Sequence, residues 1–333
     1  MVTRGYNLRR LETREQGIAL ITTLLVVALI VACVVQFNRA AIADVEISKN
    51  FSDEKKGLYL AISAVNVIKD FLRLEGLYGK GDSFLDEWAK SESYFASTAN
   101  LLEEGKITGL IVDESGKINV NNLLGENGQF NEVQKAFWER LLKQPVFGLS
   151  DDQVNIIVHG VKDWLDPDEE VTGVYGAESN AYRSRGYQCR NGPFLTVEEL
   201  LLINGITPEI FYGDGRREGI GKYFTVFGGG QININTAPLP VLMALSHEMT
   251  EDIAMNMDKF RRDEANKWAL GKKIWYRRVW PYANPLPEGA LTDTSGAFSV
   301  YIRATLRDSV KEVRAIIAKG EDSATSLIFW QEM

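Results

Sequence analysis

The feature that most constrains this chain is an uncharged apolar run over residues 18–35, in which Thr22 and Thr23 are the only hydroxyl-bearing residues. As a helix that rises about 1.5 Å per residue, the run spans roughly 27 Å, close to the thickness of a bilayer core. Four arginines and two glutamates precede it, and this excess of positive charge keeps the N-terminus in the cytoplasm. We therefore predict a transmembrane helix over residues 18–38, with the rest of the chain beyond the membrane.

A cleaved secretory signal peptide is the alternative for such a segment. Its apolar region would be about 7–15 residues long and would be followed by a small-x-small cleavage site. Here the run is longer, and Asn38 and Arg39 precede a weak site near Ala40. The small residue that fits a processing site is Gly17, on the cytoplasmic side. A cut there would leave Ile18 as the new N-terminus, whereas a plain signal anchor would keep Gly17 uncut.

Helical periodicity continues beyond the apolar run, because apolar residues return every three or four positions as far as Leu72. The pattern predicts a helical stem over residues 39–75 that stops at Gly76, since glycine commonly ends helices. The next clear patterns are extended. Residues 107–112 and 117–122 predict a hairpin across an Asp-Glu-Ser-Gly turn.

Alternating residues at the C-terminal end predict three more strands, at residues 298–304, 310–317 and 325–330. This alternation is typical of an antiparallel sheet with one buried face. The predicted fold class is therefore α+β, with a long N-terminal helix on a small antiparallel sheet. The two parts of that core, residues 76–122 and 291–333, would pair across a large, mostly helical inserted domain at residues 123–290.

Helical patterns dominate the predicted insertion, at residues 123–146, 150–164, 193–211 and 251–262. Ser150 is a candidate N-cap, and Thr196 with Glu199 has the spacing of a capping box. Residues 223–227 and 231–235 predict a hairpin around three glycines. Its second strand, Ile-Asn-Ile-Asn, echoes Ile-Asn-Val-Asn at residues 118–121, which indicates a weak internal repeat.

An aromatic, basic and then proline-rich stretch at residues 268–287 predicts irregular structure. Within it, residues 272–280 read Lys-Lys-Ile-Trp-Tyr-Arg-Arg-Val-Trp. Arginine and tryptophan are enriched at interfaces, but the same composition also fits a packed, partly exposed segment.

An acidic segment follows the helix that Ser150 caps. Asp163, Asp166 and Asp168 lie within six residues, and Glu178 is close in sequence. Crowded carboxylates repel one another unless a cation offsets them, and hard oxygen ligands favour Ca²⁺ over Zn²⁺ or Cu²⁺. The spacing does not match an EF-hand loop. The residues alone leave open a metal site or a solvated acidic loop.

Composition and motifs argue against several functions. The chain carries 37 Lys and Arg against 45 Asp and Glu, whereas binding nucleic acid needs basic patches. Residues 201–207 resemble a helix-hairpin-helix turn, but no Lys or Arg lies between Asn191 and Gly213. His159 and His247 are the only histidines, and Gly-x-Ser-x-Gly, Walker and His-Glu-x-x-His motifs are absent. No catalytic residue is predicted, and the protein is not expected to be an enzyme.

The basic peptide that ends in Gly17, followed by an apolar helix that becomes amphipathic, resembles a type IV prepilin leader. The resemblance implies that a prepilin peptidase cuts after Gly17 and that Ile18 becomes the methylated N-terminus. Most members of this class have Glu at the fifth mature position, where this chain has Thr22. The minor pseudopilin K family of type II secretion usually lacks that Glu.

Further motifs in order match the same family along nearly the whole chain: Ile-Asn-Val-Asn at 118–121, Asp-Trp-x-Asp-x-Asp at 163–168, Gly-Ala-Glu at 176–178, Tyr182, and Ile-Asn-Ile-Asn-Thr-Ala at 232–237. The resemblance implies a subunit at the tip of a periplasmic pseudopilus, needed for its assembly and for protein export across the outer membrane. The implied partners are minor pseudopilins I and J, H beneath them, and an assembly platform in the inner membrane. It also implies calcium in the helical domain, for which Asp163, Asp166, Asp168 and Glu178 are the predicted ligands.

Two other functions share some of these features. A tip or minor subunit of a type IV pilus, for DNA uptake or adhesion, would have the same leader and fold. A membrane-anchored periplasmic hydrolase with a calcium-stabilised lid would have the same anchor, although no nucleophile motif supports it.

Overall fold

A computed structural model of the full chain describes residues 8–79, 81–98, 105–281, 284, 286–320 and 322–333. The start of the predicted leader, residues 1–7, lies outside the described residues. The α-helices are α1 Leu8–Tyr78, α2 Ser91–Thr98, α3 Glu132–Leu142, α4 Asp151–Leu165, α5 Ser179–Tyr182, α6 Pro208–Tyr212, α7 Leu239–Ala244, α8 Glu251–Arg262 and α9 Lys267–Leu270. The strands are β1 Gly105–Asp113, β2 Ile118–Asn119, β3 Phe224–Thr225, β4 Ile232–Asn233, β5 Leu291–Thr292, β6 Ala297–Leu306, β7 Ser309–Lys319 and β8 Thr325–Glu332.

The predicted anchor and stem form one continuous helix, α1, of 71 residues. Its first part is exposed along the whole apolar run, and it is long and apolar enough to cross a membrane. Further along, one face becomes buried at helical spacing, through Ala61, Val65, Ile68 and Leu72. The helix therefore has two different surroundings, with an unpacked apolar segment before a segment packed on protein.

The stem does not stop at Gly76 as predicted. A Cβ atom at this position would lie 2.8 Å from the Ser323 hydroxyl, so the glycine lets the helix approach the turn between β7 and β8. The helix continues to Tyr78 because the residue serves close packing rather than termination.

The main sheet has the order β1-β6-β7-β8, and all neighbours are antiparallel. Helix α1 packs on it through contacts with β6, β7 and β8. Strands β1 and β6 pair from Gly105 with Leu306 to Asp113 with Phe298. The α+β fold is confirmed, including the prediction that chain before and after the insertion pairs in one sheet.

The inserted domain has its own, larger hydrophobic core, separate from the cluster between α1 and the sheet. Trp138 on α3 is fully buried and stacks on Phe224 of β3 with ring centroids 4.0 Å apart. Helix α4 begins at the predicted cap, because Ser150 and Gln153 form a reciprocal capping box. Its buried face carries Val154, Ile157 and Val161.

Both predicted hairpins are wrong. Strand β2 pairs in parallel with β3, and β4 pairs in parallel with β5. The Asp-Glu-Ser-Gly turn does not fold β2 back onto β1, because β1 pairs with β6 and the chain then enters the inserted domain. The glycines at 228–230 likewise lead from one short sheet to another. Strands of two residues depend on distant partners, which local alternation cannot identify.

Two predicted helices are shorter than expected. The helical pattern over residues 123–146 is helical only in α3, which Asn131 caps by accepting a hydrogen bond from the Gln134 amide. Residues 193–211 contain a 3₁₀ segment, Val197–Leu202, with the predicted Thr196–Glu199 capping box, and then α6. Gly205 at φ +88° separates the two. The stretch at 268–287, predicted to be irregular, includes α9 and the 3₁₀ segment Trp275–Arg278.

The internal repeat has a structural counterpart in its asparagines. In each copy the first asparagine accepts a hydrogen bond at 3.0 Å from the amide two residues on, Asn121 to Asn119 and Asn235 to Asn233. In each copy the same side chain donates to distant backbone, from Asn119 to Phe227 and from Asn233 to Asp82. The repeated Asn-x-Asn therefore ties each short strand to another part of the chain.

A buried polar network joins the sheet to the inserted domain, and we call it the junction network. It contains Asp82, Asp113, Asn233, Thr236 and Lys319. The Lys319 ammonium donates to both Asp82 oxygens at 2.6 Å, and Asp113 accepts from Asn233 at 3.0 Å and from Thr236 at 2.5 Å. The backbone amide of Ser295 also donates to Asp82, and the backbone amide of Ser115 also donates to Asp113.

Candidate metal centre

Three of the four predicted acidic ligands come together beyond α4, and we call them the acidic cluster: Asp163, Asp166 and Glu178. Asp163 lies in the last turn of α4, Asp166 is its C-cap, and Glu178 is the N-cap of α5. Each offers a carboxylate oxygen, and these oxygens all lie within 4.8 Å of one another. The three residues are buried, with exposed fractions of 0%, 1% and 2%.

The fourth predicted ligand, Asp168, lies outside the acidic cluster. It is exposed, and its carboxylate accepts a hydrogen bond from the Glu170 amide within its own turn. Helix α4 ends at Leu165, and residues 167 and 168 are exposed, so Asp168 no longer shares the buried helical face that carries Asp163.

The chain between Asp166 and Glu178 returns to cover the cluster. The Thr172 amide donates to the Asp163 carboxylate at 3.1 Å and 3.2 Å. A Cβ atom at Gly176 would lie 2.2 Å from Asp163 Oδ2, so only glycine allows this approach. Sequence reasoning missed the part of Thr172, for which no local signal exists. It had singled out Gly176 only as part of a motif.

Asn191 is a second residue that the site analysis from sequence missed. Its side-chain amide nitrogen donates to the Asp168 carbonyl and to the Glu169 carboxylate. Its side-chain oxygen is buried without a hydrogen-bond partner among the described residues. Asparagine tolerates its positive φ of 50° better than most residues. In the sequence, the only sign of such a turn is the Asn-Gly pair formed by Asn191 and the glycine that follows it.

The acidic cluster has more negative charge than its protein partners offset. The Lys162 ammonium donates to Asp166 Oδ2 at 2.6 Å and to the Thr172 hydroxyl at 3.0 Å. By contrast, Asp166 Oδ1 and both Glu178 oxygens are buried without an N–H or O–H donor among the described residues, and only the Cys189 thiol, a weak donor, lies beside Glu178. Ionised oxygens in that state are costly, because burial removes water without replacing it.

Burial also changes the protonation of the acidic cluster. It raises the pKa of Glu178 to about 7, with further contributions from the charges of Asp163, Asp166 and Glu169. Burial likewise raises the pKa of Asp166, although the hydrogen bond from Lys162 opposes that shift. In the protein alone, Glu178 is therefore partly protonated near pH 7, and a bound cation would displace that proton.

The donors in the acidic cluster fit a hard divalent cation. They are carboxylate oxygens, which are the ligands that Ca²⁺ prefers. Buried oxygens without partners are the groups that a cation would satisfy, and one divalent charge would offset the carboxylates that Lys162 leaves uncompensated. The residues present thus fit the calcium that the sequence resemblance implied.

The exposed apolar end of α1 presents a different site, around Gly17. Gly17 is exposed, and a Cβ atom there would meet no atom within 4 Å outside its chain neighbours and the adjacent helix backbone. The Thr22 hydroxyl donates to the Ile18 and Ala19 carbonyls of its own helix, at 3.1 Å and 2.9 Å. The Thr22 side chain is thus bonded within its own helix, and threonine has no carboxylate to offer a neighbouring chain.

Known proteins with similar sequences share the name type II secretion system protein K. Residues 116–212 match the family model described as type II secretion system (T2SS), protein K. Type II secretion system protein K of Pseudomonas aeruginosa is 28% identical over 240 residues, covering 69% of this chain and 68% of that protein. The protein of the same name from Aeromonas hydrophila is 23% identical over 340 residues, covering 93% and 95%.

A solved structure has the same fold. It is a chain of the crystal structure of the GspK-GspI-GspJ complex from the enterotoxigenic Escherichia coli type 2 secretion system, with a TM-score of 0.66 and 16% identity over 86% of this chain and 99% of that chain. The long exposed helix, the sheet packed on its second half and the inserted domain thus define a pilin-like fold. The chain is therefore similar to type II secretion system protein K, and these likenesses support a minor pseudopilin of type II secretion. The type IV pilus alternative is not favoured.

Proposed function

We propose that the chain is a single-pass inner-membrane subunit whose head caps the tip of the pseudopilus in the periplasm. The observation that carries this proposal is the division of α1 into an exposed apolar segment and a segment packed under the sheet. The exposed segment would bundle with the corresponding helices of other subunits, because no part of its own head covers it. The bulky inserted domain would block further subunits from adding above it.

The partners proposed are minor pseudopilins I and J, with H beneath them, and the inner-membrane assembly platform. Support comes from the similar fold of the chain from the GspK-GspI-GspJ complex and from Thr22. A neighbour's N-terminal amine buried in the helix bundle would need a carboxylate to offset its charge. A subunit with a self-bonded threonine at this position has no such group to offer, which suits the outermost place.

Maturation is proposed to occur by a prepilin peptidase, which cuts after Gly17 and methylates Ile18. The open surroundings of Gly17 leave room for an enzyme to approach the helix from the cytoplasmic side. This cut converts an anchor with a charged leader into an apolar helix that begins with Ile18.

The acidic cluster is proposed to bind Ca²⁺ through Asp163, Asp166 and Glu178. The orphaned oxygens of Asp166 and Glu178 support this assignment. Bound calcium would supply positive charge that fixes the return loop over α4. The proposed role is structural, since it holds one shape of the head for assembly.

The experiment that tests this function is N-terminal sequencing of the protein from secreting cells, together with co-purification of minor pseudopilins I and J. Mature protein is expected to begin at Ile18. Gly17→Ala is expected to abolish the cut and to lower export, while Thr22→Glu is expected to be cut normally. Gly57→Ala, at another glycine of α1, is the matched control and should behave as wild type. A different N-terminus, or normal export by uncut Gly17→Ala, would contradict the proposal.

A further inference from the structure

One basic segment of the head is not used by the anchor, the sheet or the acidic cluster. Residues 265–287 contain five Lys and Arg and no Asp or Glu, in a chain whose net charge is −8. The same stretch contains three of the seven tryptophans. Such a local reversal of charge, with aromatic residues interleaved, needs a physical explanation.

Two aromatic residues of this segment are buried in the inserted domain, whereas four of its five cations are exposed. Trp275 is buried, stacks on Phe260 with ring centroids 5.4 Å apart, and donates from its indole nitrogen to Asn235 at 2.7 Å. Tyr276 is also buried, and its hydroxyl accepts from the Leu286 amide at 3.1 Å. These two anchors fix the 3₁₀ segment Trp275–Arg278 to the inserted domain.

The cations remain on the surface around an exposed indole. The Arg278 guanidinium lies over the ring of Trp268, 4.5 Å from its centroid, and Trp268 is 67% exposed. Lys272 and Arg278 are exposed, and neither forms an ion pair with any carboxylate of the described residues. Stacking on Trp268 orders the guanidinium without neutralising it. We call Trp268, Lys272 and Arg278 the basic patch.

We propose that the basic patch is a docking surface for an acidic region of a protein partner. Tryptophan and arginine dominate the energetics of protein interfaces, where a rigid aromatic group is surrounded by complementary charge. Here the buried anchors prepare that arrangement before binding, which lowers the entropy cost of association. An acidic protein surface would supply the carboxylates that Lys272 and Arg278 lack.

The position of the basic patch favours a protein over the lipids of the anchoring membrane. The ion pair of Lys267 with Asp86 and the stacking of Arg262 on Phe84 hold this region beside the chain that follows the end of α1. From Val35 to Tyr78 a helix rises roughly 65 Å, at about 1.5 Å per residue. That is several Debye lengths from the charged lipid headgroups. Recognition of anionic lipid also usually takes clusters of four to eight cations next to the membrane.

The test is photo-crosslinking in secreting cells, with p-benzoylphenylalanine in place of Ile274 in the full chain, because Ile274 is exposed and lies between Lys272 and Arg278 in the sequence. The expected result is a crosslink to one envelope protein that falls at least tenfold in the Lys272→Glu/Arg278→Glu variant. An Asp→Lys or Glu→Lys change in the captured protein should restore the crosslink. Lys106→Glu/Arg216→Glu, at two exposed cations elsewhere on the head, is the matched control and should leave the crosslink unchanged.

Three results would overturn the proposal: no protein crosslink, a crosslink that is insensitive to the charge reversal, or recovery of lipid adducts alone. Retention of the thermal midpoint in the variant separates loss of docking from loss of folding. The proposal relies on the proposed anchoring only for the distance to the membrane. Sequencing of the variant's N-terminus and its co-purification with I and J therefore report failure of the proposed function separately.

Discussion

The chain buries carboxylates in two places, and these places satisfy them in different ways. In the junction network, Asp82 and Asp113 accept hydrogen bonds from Lys319, Asn233, Thr236 and backbone amides. In the acidic cluster, Asp166 and Glu178 keep buried oxygens without partners. The first site is completed by the protein itself, while the second has the charge and the free oxygens that a cation would satisfy.

The difference teaches that burial of acids is not by itself a sign of a metal site. Both places contain a carboxyl group with a raised pKa, about 6 for Asp113 and about 7 for Glu178, and burial is the main cause in each. The two sites differ in how many hydrogen-bond donors surround each carboxylate oxygen. Removing one charged group at a time should therefore affect the two places differently.

The largest effect is expected from Lys319→Met, which removes the cation of the junction network. Asp82 and Lys319 are both about nine-tenths buried at their side chains, so the variant leaves an uncompensated buried charge. Breaking a buried pair in this way costs about 3–5 kcal/mol of unfolding free energy. Urea unfolding of the detergent-solubilised full chain, followed by tryptophan fluorescence, measures it.

The control for Lys319→Met is Lys311→Met, which removes the partner of the half-exposed Glu54. Its effect should be much smaller, because water screens that pair. Equal losses in the two variants would mean that the junction network does not depend on Lys319 for charge compensation.

A somewhat smaller effect is expected from pH acting on Asp113. Its pKa in the folded protein is about 6, above the ordinary 3.8, so the folded state binds this proton more tightly than the unfolded chain. The resulting stabilisation is complete below pH 3.8 and is lost as the pH rises through 6, by about 3 kcal/mol in all. The unfolding free energy of wild type should therefore fall relative to Asp113→Asn between pH 4 and 6.

Saturating calcium in the pH experiment keeps the acidic cluster in one state, so its titration cancels in the difference between wild type and Asp113→Asn. A difference that stays flat from pH 4 to 7 would show that Asp113 does not titrate in this window.

Removal of calcium should act on the acidic cluster and leave the junction network unchanged. At a free calcium concentration 100 times Kd, binding to the folded state stabilises it by about 2.7 kcal/mol. Chelation is expected to lower the unfolding free energy of wild type by about this amount, and to have no effect on Glu178→Gln. Lys319→Met should retain the full response to calcium. An identical wild-type unfolding curve with and without chelator would reject the site.

The smallest effect is expected from Asp168→Asn, which changes an exposed carboxylate outside the acidic cluster. Calcium affinity measured by isothermal titration calorimetry should fall far less than in Asp163→Asn. The remaining change would reflect the long-range charge of Asp168, which water and salt screen. Equal losses in the two variants would return Asp168 to the set of ligands first predicted from sequence.

The parts of the fold that sequence predicted well are those set by local chemistry. Helix α1 follows from apolar periodicity, and β6, β7 and β8 follow from alternation over many residues. The caps at Ser150 and Thr196 follow from the spacing of a hydroxyl and a longer polar side chain. The two predicted hairpins were wrong because β2 and β4 are only two residues long.

The candidate site shows the same division. Crowding of acids beyond α4 was visible in the sequence, and three of the four chosen residues lie together. The exclusion of Asp168 was not visible, because it depends on where α4 ends. The hydrogen bond from the Thr172 amide to Asp163 was not visible either, since it comes from a loop folded back over the helix.

Local sequence patterns were enough to predict the long apolar helix, the stem and the antiparallel sheet, since apolar periodicity and alternation act within a few residues. Which carboxylates are buried together, and which of them have partners, depended on how distant segments pack. A carboxylate's burial and its donors come from segments far apart in the chain, as Lys319 does for Asp82 and as Thr172 does for Asp163. That information exists only once the chain is packed.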